Sequence, residues 1–185
     1  MYNKIIGLML IIGMLFLSSC SLGGSRTALL DNSNDEEIAK ARFKEVIEAL
    51  ENQDGDALKM LFSNQSLESS DDFDGSMTDL LGFFNGRIDS WEKLDGNAVF
   101  ESNDHGHVTK MVSSYYYVTT DNQKYFFLLD DYPVDTDHPE NVGIYLLLAV
   151  KAEDEEKIWD GEEKILFDGN QKVSHAGIYL PFEYL

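Results

Sequence analysis

The chain has 185 residues, of which 43% are hydrophobic and 12% aromatic, and this composition is typical of a folded globular protein. Its 34 acidic and 14 basic side chains give a formal net charge of −20. This excludes nucleic acid as a partner, because nucleic-acid binding depends on Lys and Arg that neutralise phosphates. The single cysteine excludes an internal disulfide and a cysteine metal site.

The first twenty residues have the pattern of a bacterial lipoprotein signal peptide. Lys4 supplies a positive charge, Ile5–Leu17 is uncharged, and Leu17-Ser-Ser-Cys20 ends the segment. The uncharged run is shorter than the roughly 20 residues that a membrane-spanning helix needs. We therefore predict a signal peptide over residues 1–19, a lipid on Cys20, and attachment through that lipid to the extracytoplasmic face of the cell membrane.

The next segment, residues 20–34, is predicted to be a flexible tether because it contains Gly23-Gly24-Ser25 and the polar run Asp31–Asn34. One domain is expected over residues 35–185. It opens with apolar residues at helical spacing, which predict helices over Asp35–Asn52, Ala57–Phe62 and Asp71–Phe84, with a loop at Ser63–Ser70.

From Arg87 the pattern becomes strand-like. Six strands are predicted, over Arg87–Leu94, Asn97–Asn103, Val108–Thr120, Lys124–Tyr132, Val142–Lys151 and Ala176–Leu180. The fourth and fifth are continuously apolar, which predicts burial on both faces. The acidic segment Glu153–Lys164 is expected to be a solvated excursion. Helices followed by strands indicate an α+β fold, with the helices packed on one face of a curved, mostly antiparallel sheet.

Several short motifs carry a family resemblance. The run Ala49–Asp54 followed by Ala57–Ser63 resembles the turn between the first two helices of the nuclear-transport-factor-2-like (cystatin-like) superfamily. More narrowly, the chain resembles a family of uncharacterised Gram-positive lipoproteins with this fold, at Arg42-Phe43, Phe83–Gly86 and Ala176–Pro181. The resemblance covers most of residues 26–181 and implies a sheet wrapped around a long N-terminal helix. Because the superfamily includes isomerases, dehydratases, polyketide cyclases and binding domains without activity, it implies no particular chemistry.

Asp130 and Asp131 are the candidate chemical groups, since they follow an apolar strand without an intervening turn residue. Alternation places them on opposite faces of the sheet, so one is expected on the covered side. A buried carboxyl group has a raised pKa and could serve as a general acid or base. The alternative is that the strand ends there and both carboxylates meet water.

A pocket between the first helix and the concave sheet is the predicted site. Trp91, Tyr115 and Tyr117 would form its aromatic wall, and Asp130 or Asp131 its polar anchor. Aromatic residues are also ordinary components of strand cores. A small apolar ligand would suit such a pocket.

Three other polar motifs are rich in potential metal ligands, namely Ser70–Gly75, Asp135–Asn141 and the pair His105 and His107. A helix N-terminus, a polar loop and a hairpin tip explain them without a metal. Common hydrolase, zinc-protease and nucleotide-binding motifs are absent from the sequence. We therefore expect no metal and no cofactor.

Three hypotheses remain for function. The first is a non-catalytic module that binds a ligand or a protein. The second is an enzyme that uses Asp130 or Asp131 for proton transfer at a small-molecule carbon acid. The third is a homodimer formed through an exposed sheet face, which the apolar strand Ile144–Val150 would favour.

Overall fold

Four helices precede the sheet in the computed structural model, which describes residues 32–95, 98–155, 167–168, 171–172 and 175–181. The predicted signal peptide, Cys20, nearly all of the predicted tether and most of Glu153–Lys164 lie outside the described residues. The chain divides into two units, Met1–Asn34 and Asp35–Leu185. Of the first unit, only the residues that begin the first helix are described. None of the described helices is long and apolar enough to cross a membrane.

The helices are α1 to α4, in order Asn32–Glu51, Gly55–Lys59, Asn64–Ser69 and Phe73–Phe83. Three of them match the predicted helices, with shifted ends. The prediction of a loop at Ser63–Ser70 was wrong, because α3 lies within that segment. The Ser63 hydroxyl caps this helix by accepting a hydrogen bond from the Ser66 amide at 3.1 Å.

Ser66 also explains why a polar segment is ordered as a helix here. Its side chain is fully buried. The hydroxyl donates to the Tyr145 carbonyl at 2.7 Å and accepts from the Gly177 amide at 2.9 Å. The hydrogen bonds of a polar side chain therefore hold α3 against the sheet. The hydrophobic periodicity of a sequence cannot predict such a contact.

The strands are β1 to β8, in order Ile88–Lys93, Ala98–Asp104, His107–Thr120, Lys124–Asp135, Gly143–Lys151, Phe167–Asp168, Gln171–Lys172 and Gly177–Tyr179. Six of them form one sheet in the order β1-β3-β4-β5-β8, with β2 also paired to β3, and β6 pairs with β7 alone. All pairs in the large sheet are antiparallel except β5–β8. The α+β prediction and the six strands are confirmed.

β1 and β2 follow each other along the same edge of β3. Lys93 pairs with Tyr116, and Ala98 pairs with Ser113 a few residues further along β3. β2 returns to β3 through a tight turn in which His105 and Gly106 have φ of 52° and 94°. This is the left-handed backbone of a two-residue hairpin, at the turn predicted from the sequence.

The main core lies between the helices and one face of the sheet, called here the helix-side face. Phe43, Val46 and Leu50 of α1 pack there against Tyr116, Phe127 and other sheet residues. On the opposite, outer face, five apolar residues are at most 2% exposed, namely Phe126, Leu128, Leu146, Leu148 and Val150. The prediction that β4 and β5 are buried on both faces is confirmed.

Gly143 allows the helical layer to approach the start of β5 closely. Its φ is 126°, and a Cβ there would lie 2.9 Å from the Ser63 amide nitrogen and 3.0 Å from the Leu61 carbonyl oxygen. Next to it, the Ser63 amide donates to the Ile144 carbonyl at 3.0 Å, and the Ile144 amide donates to the Leu61 carbonyl at 3.0 Å. Glycine is required because backbone fills the space that a side chain would occupy.

Candidate functional site

The five predicted pocket residues lie on two different faces of the sheet, so they do not line one cavity. Trp91 is on the helix-side face, where its ring meets Phe43 and Tyr116 edge-on at 5.5 and 6.0 Å between centroids. Asp131 is on that face too. The other three, Tyr115, Tyr117 and Asp130, are on the outer face.

The space between α1 and the sheet is filled by side chains. Phe43 and Tyr116 are both 0% exposed, and their rings stack with centroids 3.6 Å apart. Phe127 closes the cluster edge-on to Phe43 at 5.6 Å. Trp91, which was expected to form part of the wall of a pocket there, therefore packs against the core instead.

Asp131 holds α1 to β4. Arg42 of α1 donates through Nε to an Asp131 carboxylate oxygen at 3.0 Å, and through Nη1 to Glu45 at 2.9 Å. Asp131 is only 2% exposed. Burial raises its pKa, and the Arg42 guanidinium opposes that rise. The carboxylate is thus committed to an interaction within the protein.

A second buried ion pair, not predicted from the sequence, lies under the start of α1. Lys110 of β3 is 0% exposed, and its Nζ lies 2.5 Å from an Asp35 carboxylate oxygen and 3.5 Å from one of Glu101. The sequence did contain a signal for this buried lysine, because Lys110 alternates in phase with Val112 and Tyr116 along the predicted strand. From the sequence, Asp35 is only the first residue of the helix predicted over Asp35–Asn52.

Asp130 is the buried carboxylate of the outer face. It is 0% exposed and accepts a hydrogen bond from the Ser113 hydroxyl. Burial, and secondly the charge of Asp130, raises the pKa of both Tyr115 and Tyr132. Tyr132 in turn meets Tyr145 edge-on at 6.2 Å. Asp130 and Asp131 thus lie on opposite faces, as alternation along the strand indicates.

Two clefts adjoin the tyrosines next to Asp130. The Tyr115 cleft has a volume of about 300 Å³ and is lined by Leu94, Asp95, Tyr115, Phe126 and Glu155. The Phe100 cleft has a volume of about 550 Å³ and is lined by Val99, Phe100, Glu101, Ser102, Thr109, Met111 and Tyr132. Each cleft contains one of the two tyrosines whose pKa responds to Asp130. Both volumes fall in or near the range of small-molecule sites.

Tyr117 lies beside the Tyr115 cleft. Its hydroxyl donates to the Glu155 carboxylate. The Lys124 ammonium lies over its ring, 3.8 Å from the centroid, and 3.6 Å from the Glu92 carboxylate. The hydrogen bond to Glu155 and burial raise the pKa of Tyr117 to about 12, so the phenol stays neutral at physiological pH.

Two of the other polar motifs, Ser70–Gly75 and Asp135–Asn141, have structural roles. Asp135 accepts hydrogen bonds from the amides of Asp137 and His138 and from the Asn141 side chain, at 3.2, 2.9 and 2.9 Å. Burial acts to raise the pKa of Asp135, but these bonds lower it below its ordinary value. Asp72 caps α4 by accepting from the Gly75 amide at 3.0 Å. Within the described residues, no three His, Cys, Asp or Glu side chains are grouped so that they could hold a metal.

The comparison with protein families gives a match. A family model described as Domain of unknown function (DUF5104) matches residues 45–152. The chain belongs to this family. The DUF5104 match runs from within α1 to just past β5, so it includes Asp130, Asp131 and the whole Phe100 cleft. Of the described residues that line the Tyr115 cleft it leaves out only Glu155, and it also leaves out Asp35 and Arg42. No curated protein matches the chain.

Proposed function

We propose that this DUF5104 protein is a lipid-anchored, extracytoplasmic, non-catalytic binding module whose ligand site is on the outer face of the sheet. One observation carries the proposal. The buried Asp130 neighbours Tyr115 and Tyr132 on the outer face, each of these tyrosines lines one aromatic-lined cleft, and the charge of Asp130 contributes to the raised pKa of both. Ligand sites of this kind combine an apolar lining with a small number of polar groups.

Binding is favoured over catalysis because both aspartates have partners inside the protein. A general base must come within hydrogen-bond reach of the proton that it removes. Asp130 is fully buried against Ser113, and Asp131 is held by Arg42. The second candidate function is an enzyme that uses Asp131 as a general acid, and the raised pKa of that residue favours it. This function would require Arg42 to move away from the carboxylate.

We also propose that the fold is of the nuclear-transport-factor-2-like type. The long α1 packed on one face of a mostly antiparallel sheet supports this assignment.

The third hypothesis, a homodimer, depends on an exposed apolar sheet face. Leu146, Leu148 and Val150 are at most 1% exposed within the single chain, which favours a monomer.

Native mass spectrometry of the full chain, released from its own cells in a nonionic detergent, tests the binding proposal. We expect a monomer that carries a small-molecule adduct. Asp130→Asn should weaken or abolish the adduct, because the charge behind both clefts is lost. Asp56→Asn, at an exposed position in the first turn of α2, removes the same charge far from the clefts and should retain it. An adduct-free dimer would contradict the proposal and favour the homodimer.

The anchor is tested on the same material by peptide mass analysis. We expect residues 1–19 to be absent and Cys20 to begin the chain with acyl groups attached, since two acyl chains suffice for stable anchoring. The Cys20→Ala variant should accumulate with residues 1–19 still present. An unmodified Cys20 preceded by Ser19 in the native protein would show that the lipid anchor is wrong.

A further inference from the structure

The Tyr115 cleft has an aromatic wall. The rings of Tyr115 and Phe126 are nearly parallel, 18° apart, with centroids separated by 6.3 Å. Tyr117 meets Phe126 edge-on at 6.0 Å, and Leu94 completes the apolar lining. The faces of aromatic rings carry partial negative charge, so they attract cations as well as apolar groups.

Carboxylates give the same cleft a negative rim. Asp95 and Glu155 are both among its lining residues. Asp130 lies near Tyr115 on the same face of the sheet, and its charge contributes to the raised pKa of that tyrosine. A cation is also close to the cleft. Lys93 neighbours Leu94 in sequence, and its ammonium donates a hydrogen bond to the Leu94 carbonyl oxygen at 3.4 Å. With a net charge of −20 on the whole chain, the potential in the cleft favours a cation.

The protein already places one ammonium on an aromatic face at this site. Lys124 Nζ lies 3.8 Å from the centroid of the Tyr117 ring and 3.6 Å from the Glu92 carboxylate. This arrangement joins one ring face, one carboxylate and one ammonium. The Tyr115 cleft repeats the first two components in an adjoining space of about 300 Å³.

We propose that the Tyr115 cleft binds a small organic ammonium ion, with the cation against the Tyr115 and Phe126 rings and its charge balanced by Asp95 and Glu155. The inference rests on the proposed function, since it names the class of ligand for one of the two outer-face clefts. The volume, at the lower end of the range for ligand sites, restricts the ligand to a headgroup-sized alkylammonium ion.

Choline is a suitable probe, and 3,3-dimethylbutan-1-ol is its control, because it has nearly the same shape without the charge. The titration follows the amide NMR signals of the full chain in a maltoside detergent at constant ionic strength. We expect choline to shift the signals of Leu94, Tyr115 and Phe126 with a Kd in the millimolar range. The neutral control should bind about tenfold more weakly.

Substitutions in the cleft separate the two sources of affinity. Tyr115→Leu removes the ring and should weaken choline binding about fivefold to tenfold, whereas Tyr115→Phe keeps the ring and should retain it. Asp95→Asn should also weaken binding. Glu51→Gln removes one charge at the exposed end of α1 and should leave the affinity unchanged. This pair of variants distinguishes a local effect from that of the overall charge.

Two outcomes would overturn the proposal. If choline and the neutral alcohol bind equally, the cleft binds apolar ligands, so the ammonium inference fails and the proposed binding function stands. If neither probe shifts the cleft signals, the ammonium inference fails again. The adduct measurement on the native protein then decides separately whether the outer face binds another ligand.

Discussion

Replacing Lys110 with methionine is expected to destabilise the protein by about 3–5 kcal/mol. Lys110 is 0% exposed, and its ammonium lies 2.5 Å from the Asp35 carboxylate, which is itself only 4% exposed. The substitution leaves that carboxylate buried without its counter-charge. Glu101, which lies 3.5 Å from the ammonium and is 29% exposed, would lose a partner as well but could remain hydrated. Most of the expected cost therefore arises at Asp35.

Urea unfolding of Lys110→Met and two companion variants checks this result. Lys40→Met removes an exposed lysine that pairs with Glu36 at 2.6 Å, and it should cost less than about 1 kcal/mol. The double variant Asp35→Leu/Lys110→Met removes both charges and should recover most of the lost stability, since apolar replacement of a buried pair is often neutral. If Lys110→Met cost no more than Lys40→Met, the ion pair would not be buried in solution.

Replacing Phe43 with alanine is expected to destabilise the protein by about 3–5 kcal/mol. Phe43 is 0% exposed, stacks on Tyr116 with ring centroids 3.6 Å apart, and meets Trp91 and Phe127 edge-on. Its removal would leave a cavity bounded by three large rings, which the backbone of α1 and β3 cannot close. The aromatic pair energies add to the loss of burial.

Thermal and urea unfolding measure the effect, with Phe100→Ala as the matched control. Phe100 has the same side chain but is 59% exposed, so the control should cost less than about 1 kcal/mol. Phe43→Leu, which fills part of the cavity, should fall between the two. Equal costs for Phe43→Ala and Phe100→Ala would contradict the placement of Phe43 at the centre of the core.

The sequence predicted the elements well wherever apolar periodicity was strong. Three helices and all six strands of the large sheet were located, because each has an apolar face or an apolar run. α3 was missed because its anchor is Ser66, whose hydrogen bonds reach Tyr145 and Gly177. The partners in these hydrogen bonds are remote from Ser66 in sequence, so no local sequence pattern predicts them.

The candidate site was predictable only in part. Alternation indicated opposite faces for Asp130 and Asp131, and it also puts Tyr115 and Tyr117 on one face. It gives no information on which face the helices cover, so Trp91 was grouped with residues on the other side of the sheet. The partners Arg42, Lys110 and Ser113 contribute through contacts between distant segments, which a single sequence does not encode in its spacing.

The hydrogen bond between the Gly177 amide and the Ser66 hydroxyl joins residues 111 positions apart, and β8 pairs in parallel with β5. Neither contact can form until residue 177 has left the ribosome. During synthesis from the N-terminus, α3 therefore lacks its hydrogen bond to Gly177, and β5 lacks its pairing with β8, until residue 177 has emerged. High sequence separation between contacts also slows folding. α3 and this edge of the sheet therefore gain their final contacts later than the hairpins β2–β3 and β3–β4, whose strands are adjacent in sequence.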